Sequence, residues 1–167
     1  GWGMHCSCLT KTLAPGYRIG WAAPRRFRSA FDRQKLVATL ATCIPAQLAI
    51  ARYLERGGYD RYLRQLRRTL EHNRESYLAA IAHHFPVSVR VSRPAGGYFL
   101  WLELPEAVDA LQVQRQAMAA GISIAPGPMF SASRSFSHCL RLNYGHPLVP
   151  RTEAALKTLG LLCRAGA

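Results

Sequence analysis

The chain has 167 residues, 49% of them hydrophobic, enough for one ordinary core, and no apolar run reaches the roughly eighteen residues that a membrane-spanning helix needs. It has no charged leader followed by an apolar core, so neither a secretory signal nor a membrane partner is read and a cytoplasmic location is expected. A formal net charge of +13 raises nucleic-acid binding, but the charge is spread, with seven arginines over 52–74 and a short cluster at Arg25, Arg26 and Arg28, and this segment carries no helix-turn-helix signature.

Solvated helix faces with partial pairing, such as Arg67 with Glu71, account for most of that charge, and basicity alone does not decide whether DNA is touched. The five cysteines, Cys6, Cys8, Cys43, Cys139 and Cys163, are odd in number, scattered and without a CxxC pair, so neither a disulfide framework nor a zinc site is indicated. His83 and His84 end a helical stretch without nearby acidic or cysteine partners and are read as a solvated helix end. No metal is assigned.

Residues 1–21 predict strand, loop, strand. Pro15 and Gly16 mark the turn, and 17–23 is apolar enough for a buried strand. A helix is expected from Pro24 and Arg25 through about Ala41, with Phe27, Ala30, Phe31, Gln34, Val37 and Ala38 at helical spacing; that face is assigned to the core. Pro45 begins a second helix running to Arg56. Gly57 and Gly58 break it before a longer one over 59–84, whose stripe of Tyr59, Tyr62, Leu63, Leu66, Leu70, Tyr77, Leu78 and Ile81 is core spacing rather than a ligand box.

Pro86 stops that helix, and the alternation over 87–92 predicts a strand paired with a second one ending before Pro105. Gly96 and Gly97 between them either make the turn or let the backbone pass close to a ligand. A helix over 109–120 is capped by Gly121, a short strand covers 122–125, Pro126-Gly127-Pro128 turns, and 131–137 is a polar loop. The strand 140–144 and a closing helix over 151–163 complete the chain. Arg141 falls between Leu140 and Leu142 and so points away from their face, as an ion-pair partner or as a ligand for an anion.

Lysine is scarce: Lys11, Lys35 and Lys157 stand against nineteen arginines. Lys11 lies in the turn-prone stretch Thr10-Lys11-Thr12-Leu13-Ala14-Pro15-Gly16-Tyr17-Arg18-Ile19-Gly20-Trp21, seven residues before Arg18. A lysine amine can condense with a carbonyl, which guanidinium cannot do, and a nearby arginine can clamp a dianionic phosphate. On its own, an arbitrary Lys-x6-Arg pair reads as a surface-loop lysine and a strand-edge charge, and only the residues around it reverse that reading.

The whole stretch resembles the lysine segment of the fold-type I pyridoxal-phosphate enzymes, the aspartate-aminotransferase superfamily. It is most similar to the form found in MocR-type members of the GntR regulator family. The resemblance continues through Arg93-Pro94-Ala95-Gly96-Gly97-Tyr98-Phe99-Leu100-Trp101-Leu102-Glu103, through Gly121-Ile122-Ser123-Ile124-Ala125-Pro126-Gly127-Pro128-Met129-Phe130, and through Cys139-Leu140-Arg141-Leu142-Asn143-Tyr144-Gly145.

The resemblance implies an α/β fold, the C-terminal part of a three-layer transferase with a long interdomain helix and an α+β small domain. Residues 1–44 would belong to the large cofactor domain, 45–85 to the interdomain helix and 86–167 to the small domain. Lys11 would form the internal aldimine with pyridoxal 5'-phosphate and move the substrate α-proton; Arg18, with Thr10 and the residue at Cys8, would hold the phosphate; Arg141 would take the substrate carboxylate, beside Gly97. Cys8 departs from the family's usual serine, a change that weakens hydrogen bonding to phosphate.

The family's glycine-rich phosphate loop, ring-stacking aromatic and pyridine-pairing aspartate lie upstream of its lysine and are not in this sequence. The chain is therefore expected to be the C-terminal part of a longer, homodimeric protein and to be inactive alone. The function implied is an effector-sensing, aminotransferase-like domain of a MocR-type transcription regulator, responding to an amino acid or amine and touching DNA only through an N-terminal domain. A free-standing amino-acid aminotransferase and an inactive remnant are the alternatives.

Overall fold

A computed structural model describes residues 3–164; the outer ends of the first expected strand (residues 1 and 2) and of the expected small domain (residues 165–167) lie outside it. The chain divides into two compact units, with the boundary between Gln65 and Leu66.

In the first unit, β1 (His5–Cys8) and β2 (Gly20–Ala23) pair antiparallel, with Cys8 opposite Gly20 and Ser7 opposite Trp21. The pairing is close: a Cβ on Gly20 would lie 2.8 Å from the Ser7 carbonyl oxygen, so glycine is the residue that fits. The expected buried strand over 17–23 contracts to β2. Its residues are exposed or half-buried because the hairpin's faces have little covering them, while Ile19, just before it, is buried.

A single 3-10 turn at Arg25–Phe27 leads into α1 (Arg28–Thr39), followed by α2 (Ile44–Glu55), whose proline occupies the first turn where no amide hydrogen is needed. The apolar face assigned to α1 is not core among the described residues. Val37 is 81% exposed and no α1 residue is buried. Helical spacing specifies that a face exists, not what covers it.

Gly57, with φ of 71°, ends α2, and α3 (Tyr59–His84) begins where the sequence predicts. In the second unit, Leu70, Tyr77, Leu78 and Ile81 of α3 enter the main core with Leu100, Leu102, Leu140 and Leu159. The sheet there has the order β3 (Arg90–Val91), β4 (Phe99–Glu103), β6 (Cys139–Asn143), β5 (Ala125–Pro126), all antiparallel.

Two strands differ from expectation. The 87–92 strand shrinks to β3, because Val89 donates its amide to the Pro86 carbonyl in a turn and Val87 is fully exposed. The 122–125 strand moves on to β5, where register with β6 sets Ala125 against Arg141 and Pro126 against Leu140. The α4 helix (Ala110–Ala119) starts at Asp109, whose carboxylate accepts from Leu111 N at 2.8 Å, and Gly121 with φ of 73° follows it. The α5 helix (Pro150–Leu162) packs beside it.

Candidate cofactor and carboxylate sites

The lysine loop is built by two leucines. Leu13 N donates to the Leu9 carbonyl at 2.9 Å, closing one turn, and both side chains pack on the small cluster of Ile19, Ala46 and Ile50. With Leu9 and Leu13 turned inward, Lys11 between them is exposed. Leu9 N also donates to the Ile19 carbonyl at 3.0 Å, extending the hairpin pairing to the foot of the loop. A 3-10 turn at Pro15–Tyr17 then returns the chain to Arg18.

Arg18 is left-handed, with φ of 53° and ψ of 36°, a conformation that costs a non-glycine residue on the order of 1 kcal/mol. Strain of this kind persists where the surroundings hold it, and here it lies on a residue expected to bind phosphate. Tyr59 adds a tie unforeseen from sequence, donating its hydroxyl to Thr12 Oγ1 at 2.8 Å.

The electrostatics of the loop favour an anion. The Cys8 thiol is held below its ordinary range, chiefly by the Thr10 amide hydrogen and then by the Thr10 hydroxyl; desolvation opposes them, and the Lys11 amide and the Arg18 charge add smaller effects in the lowering direction. Thr10, the Lys11 amide and the Arg18 charge therefore all act on Cys8, at the end of β1. Donors that stabilise a negative sulfur also suit a phosphate oxygen, so the donors present here fit the phosphate of the expected cofactor.

Arg141 and Gly97 belong to the second unit, where they line different clefts. Gly97, with φ of 98°, borders a small cleft of about 170 Å³ with Arg74 and Tyr144. Arg141 borders a larger cavity of about 560 Å³, which Leu142 also borders, and, as expected, it alternates along β6 with the buried Leu140 and Leu142, pairing across the sheet with Trp101. Its guanidinium carbon sits over Phe99 and Phe130, residues that sequence reasoning passed over as functional. The alternation of Phe99 and Trp101 with Leu100 and Leu102 was the signal available for one part of that wall.

Two smaller expectations change. Glu71 faces Arg74 at 3.9 Å, and Arg74 also grips Glu75 at 2.7 Å and the Pro94 carbonyl at 2.9 Å. His84 is not fully solvated: its side chain is 13% exposed and its Nε2 lies 3.6 Å from Glu153, which the fold brings in from α5. Among the described residues no group of His, Cys, Asp or Glu could hold a metal ion, and no helix is long and apolar enough to cross a membrane.

An HTH-type transcriptional regulator of Escherichia coli, YdcR, is 42% identical over 159 residues, 95% of this chain and 34% of that protein. Aromatic-amino-acid aminotransferase 1 of Thermococcus litoralis is 30% identical over 157 residues, 93% of this chain and 38% of the enzyme. LysN, the α-aminoadipate aminotransferase of Thermus thermophilus, solved with N-(5'-phosphopyridoxyl)-L-leucine, superposes with a TM-score of 0.88 at 28% identity, covering 98% of this chain and 42% of that one.

The chain belongs to the fold-type I aminotransferase superfamily. Within it, the similarity runs both to transcription regulators and to enzymes. No family model matches the chain. It spans about a third of the length of the curated relatives it matches.

Proposed function

We propose that this chain is a pyridoxal-phosphate-binding, aminotransferase-like domain whose Lys11 bonds the cofactor and whose occupancy is sensed by a MocR-type transcription regulator. The observation that carries the proposal is the lysine loop: an exposed amine held between two inward leucines, beside donors that already favour negative charge at Cys8. The similarity to YdcR supports the regulator, and that to the Thermococcus enzyme supports the cofactor.

Pyridoxal phosphate, when bound, supplies an electron sink that stabilises negative charge at the carbon bearing an amine. The chain's own residues would do the rest. Arg18 and Thr10 hold the phosphate oxygens, with Cys8 a weaker donor than a serine hydroxyl. Lys11 Nζ anchors the aldehyde and accepts or returns the proton at the ligand's α-carbon. Arg141 takes the α-carboxylate through its paired N–H donors.

In the regulator, the amino ligand's binding free energy is coupled to operator affinity through a DNA-binding segment, and the coupling is reciprocal. A homodimer is the expected assembly. The second function supported by a specific relative is free-standing transamination, as in the Thermococcus enzyme.

The test uses the intact protein that carries this chain. Incubation with pyridoxal phosphate, borohydride reduction and peptide mass mapping should place the modification on Lys11, and Lys11→Arg should abolish it. Modification elsewhere refutes the cofactor assignment. Operator binding measured with and without amino ligands should then change with loading; unchanged operator affinity beside measurable transamination selects the enzyme instead.

A further inference from the structure

The face of the sheet that carries Arg141 is aromatic. Phe99 and Trp101 stand two apart on β4, opposite in direction to Leu100 and Leu102, and the register sets Trp101 across from Arg141. The Arg141 guanidinium carbon lies 4.1 Å from the Phe99 ring centre and 4.2 Å from that of Phe130. Trp101 meets Phe130 and Phe136 edge-on, with centroids 5.8 and 5.5 Å apart. One cation is thus set into a wall of rings, and on its other flank β5 offers only Ala125.

Contact with ring faces attracts the guanidinium without consuming its N–H donors. Among the described residues no carboxylate pairs with Arg141 and no acceptor takes its hydrogens. The donors therefore remain for a ligand, next to a cavity of about 560 Å³ to which Ile122, Ile124 and Met129 contribute apolar wall. Met129 is 70% exposed, and Phe130 and Phe136 are 40% and 48% exposed, a cluster of large apolar surface that an apolar ligand would cover.

We infer that the ligand held by Arg141 is a monocarboxylate with an aromatic or large apolar group, and that Phe99 and Phe130 determine that preference. The inference rests on the assignment of Arg141 to a carboxylate. The carboxylate would take the fork of the guanidinium, and the apolar group would lie against the rings and in the cavity. Arg151 also borders the cavity, but it is exposed in the first turn of α5 and remains hydrated, so a second carboxylate gains little there against the desolvation it suffers beside the rings.

Titration calorimetry on the full chain with 3-phenylpropionate, propionate, glutarate and 3-phenylpropanamide tests this. The expected result is 3-phenylpropionate binding at least about tenfold more tightly than propionate or glutarate, with Phe130→Ala narrowing the gap to about threefold and Phe130→Leu retaining most of it. Both variants should keep the far-UV circular dichroism of the parent, since Phe130 is partly exposed. Equal binding of propionate, or tighter binding of glutarate, overturns the aromatic preference while leaving Arg141 as a carboxylate ligand. Equal binding of the amide, unchanged affinity in Arg141→Met, or no binding of any carboxylate overturns the Arg141 assignment and the inference with it.

Discussion

Tyr59, the first residue of α3, donates its hydroxyl to Thr12 Oγ1 at 2.8 Å, so the lysine loop is tied to a residue 47 positions away. The contact is half-buried and restrains the residue next to Lys11. Tyr59→Phe removes one neutral hydrogen bond, worth about 1 kcal/mol, and should weaken pyridoxal-phosphate affinity by roughly fivefold with the fold intact. Absorbance titration of the variant beside its parent measures this; an unchanged affinity would show that the loop is held by Leu9 and Leu13 alone.

Cys8 should be the most readily alkylated of the three cysteines with shifted thiols. Its thiol is lowered, chiefly by the Thr10 amide, whereas burial raises the thiols of Cys139 and Cys163. A lowered thiol reaches its thiolate at lower pH, so iodoacetamide labelling at Cys8 should rise earlier than in a model peptide. Prior loading with pyridoxal phosphate should slow it, as read by peptide mass spectrometry. Cys8→Ser should tighten cofactor binding by restoring a stronger donor.

Asn73 is 2% exposed and donates its side-chain amide to the Tyr144 carbonyl at 3.1 Å, joining α3 to the turn after β6. Asn73→Ala leaves that carbonyl without its partner and should cost about 1–3 kcal/mol of unfolding free energy. Urea denaturation should show a lower midpoint at unchanged slope. Asn73→Asp, which presents no donor at neutral pH, should be at least as damaging.

Alkaline stability should fall in a defined window. Burial pushes the Cys163 thiol from 9.0 up to about 12, so between those values the unfolded chain loses a proton that the folded chain keeps. The contribution is intact below pH 9 and is lost as pH rises toward the folded value. Tyr77 and Tyr144, also raised by burial, act in the same direction. Thermal midpoints of Cys163→Ala and parent, compared from pH 8 to 10.5, should show a shallower decline in the variant.

The long helix α3 was legible to the residue, because Gly57 and Gly58 break the chain and Pro86 stops it, both local backbone effects. The short strands were less so. The two-residue β3 and β5 are defined by partners on β4 and β6, and alternation over 87–92 and 122–125 could not show which residues would find one. The face of α1 failed for a related reason, since helical spacing does not say what covers a face and no described residue buries this one.

The sequence by itself determined the lysine loop, the superfamily and the direction in which Arg141 points, because these follow from residue chemistry, motif spacing and the two-residue period of a strand. Tertiary structure alone decided what surrounds those groups. Phe130 reaches Arg141 from a different element, Tyr59 reaches Thr12 across two helices' worth of chain, and Glu153 comes to His84 from α5. Such pairings are set by how elements pack, which depends on the buried faces of the whole unit rather than on any local pattern.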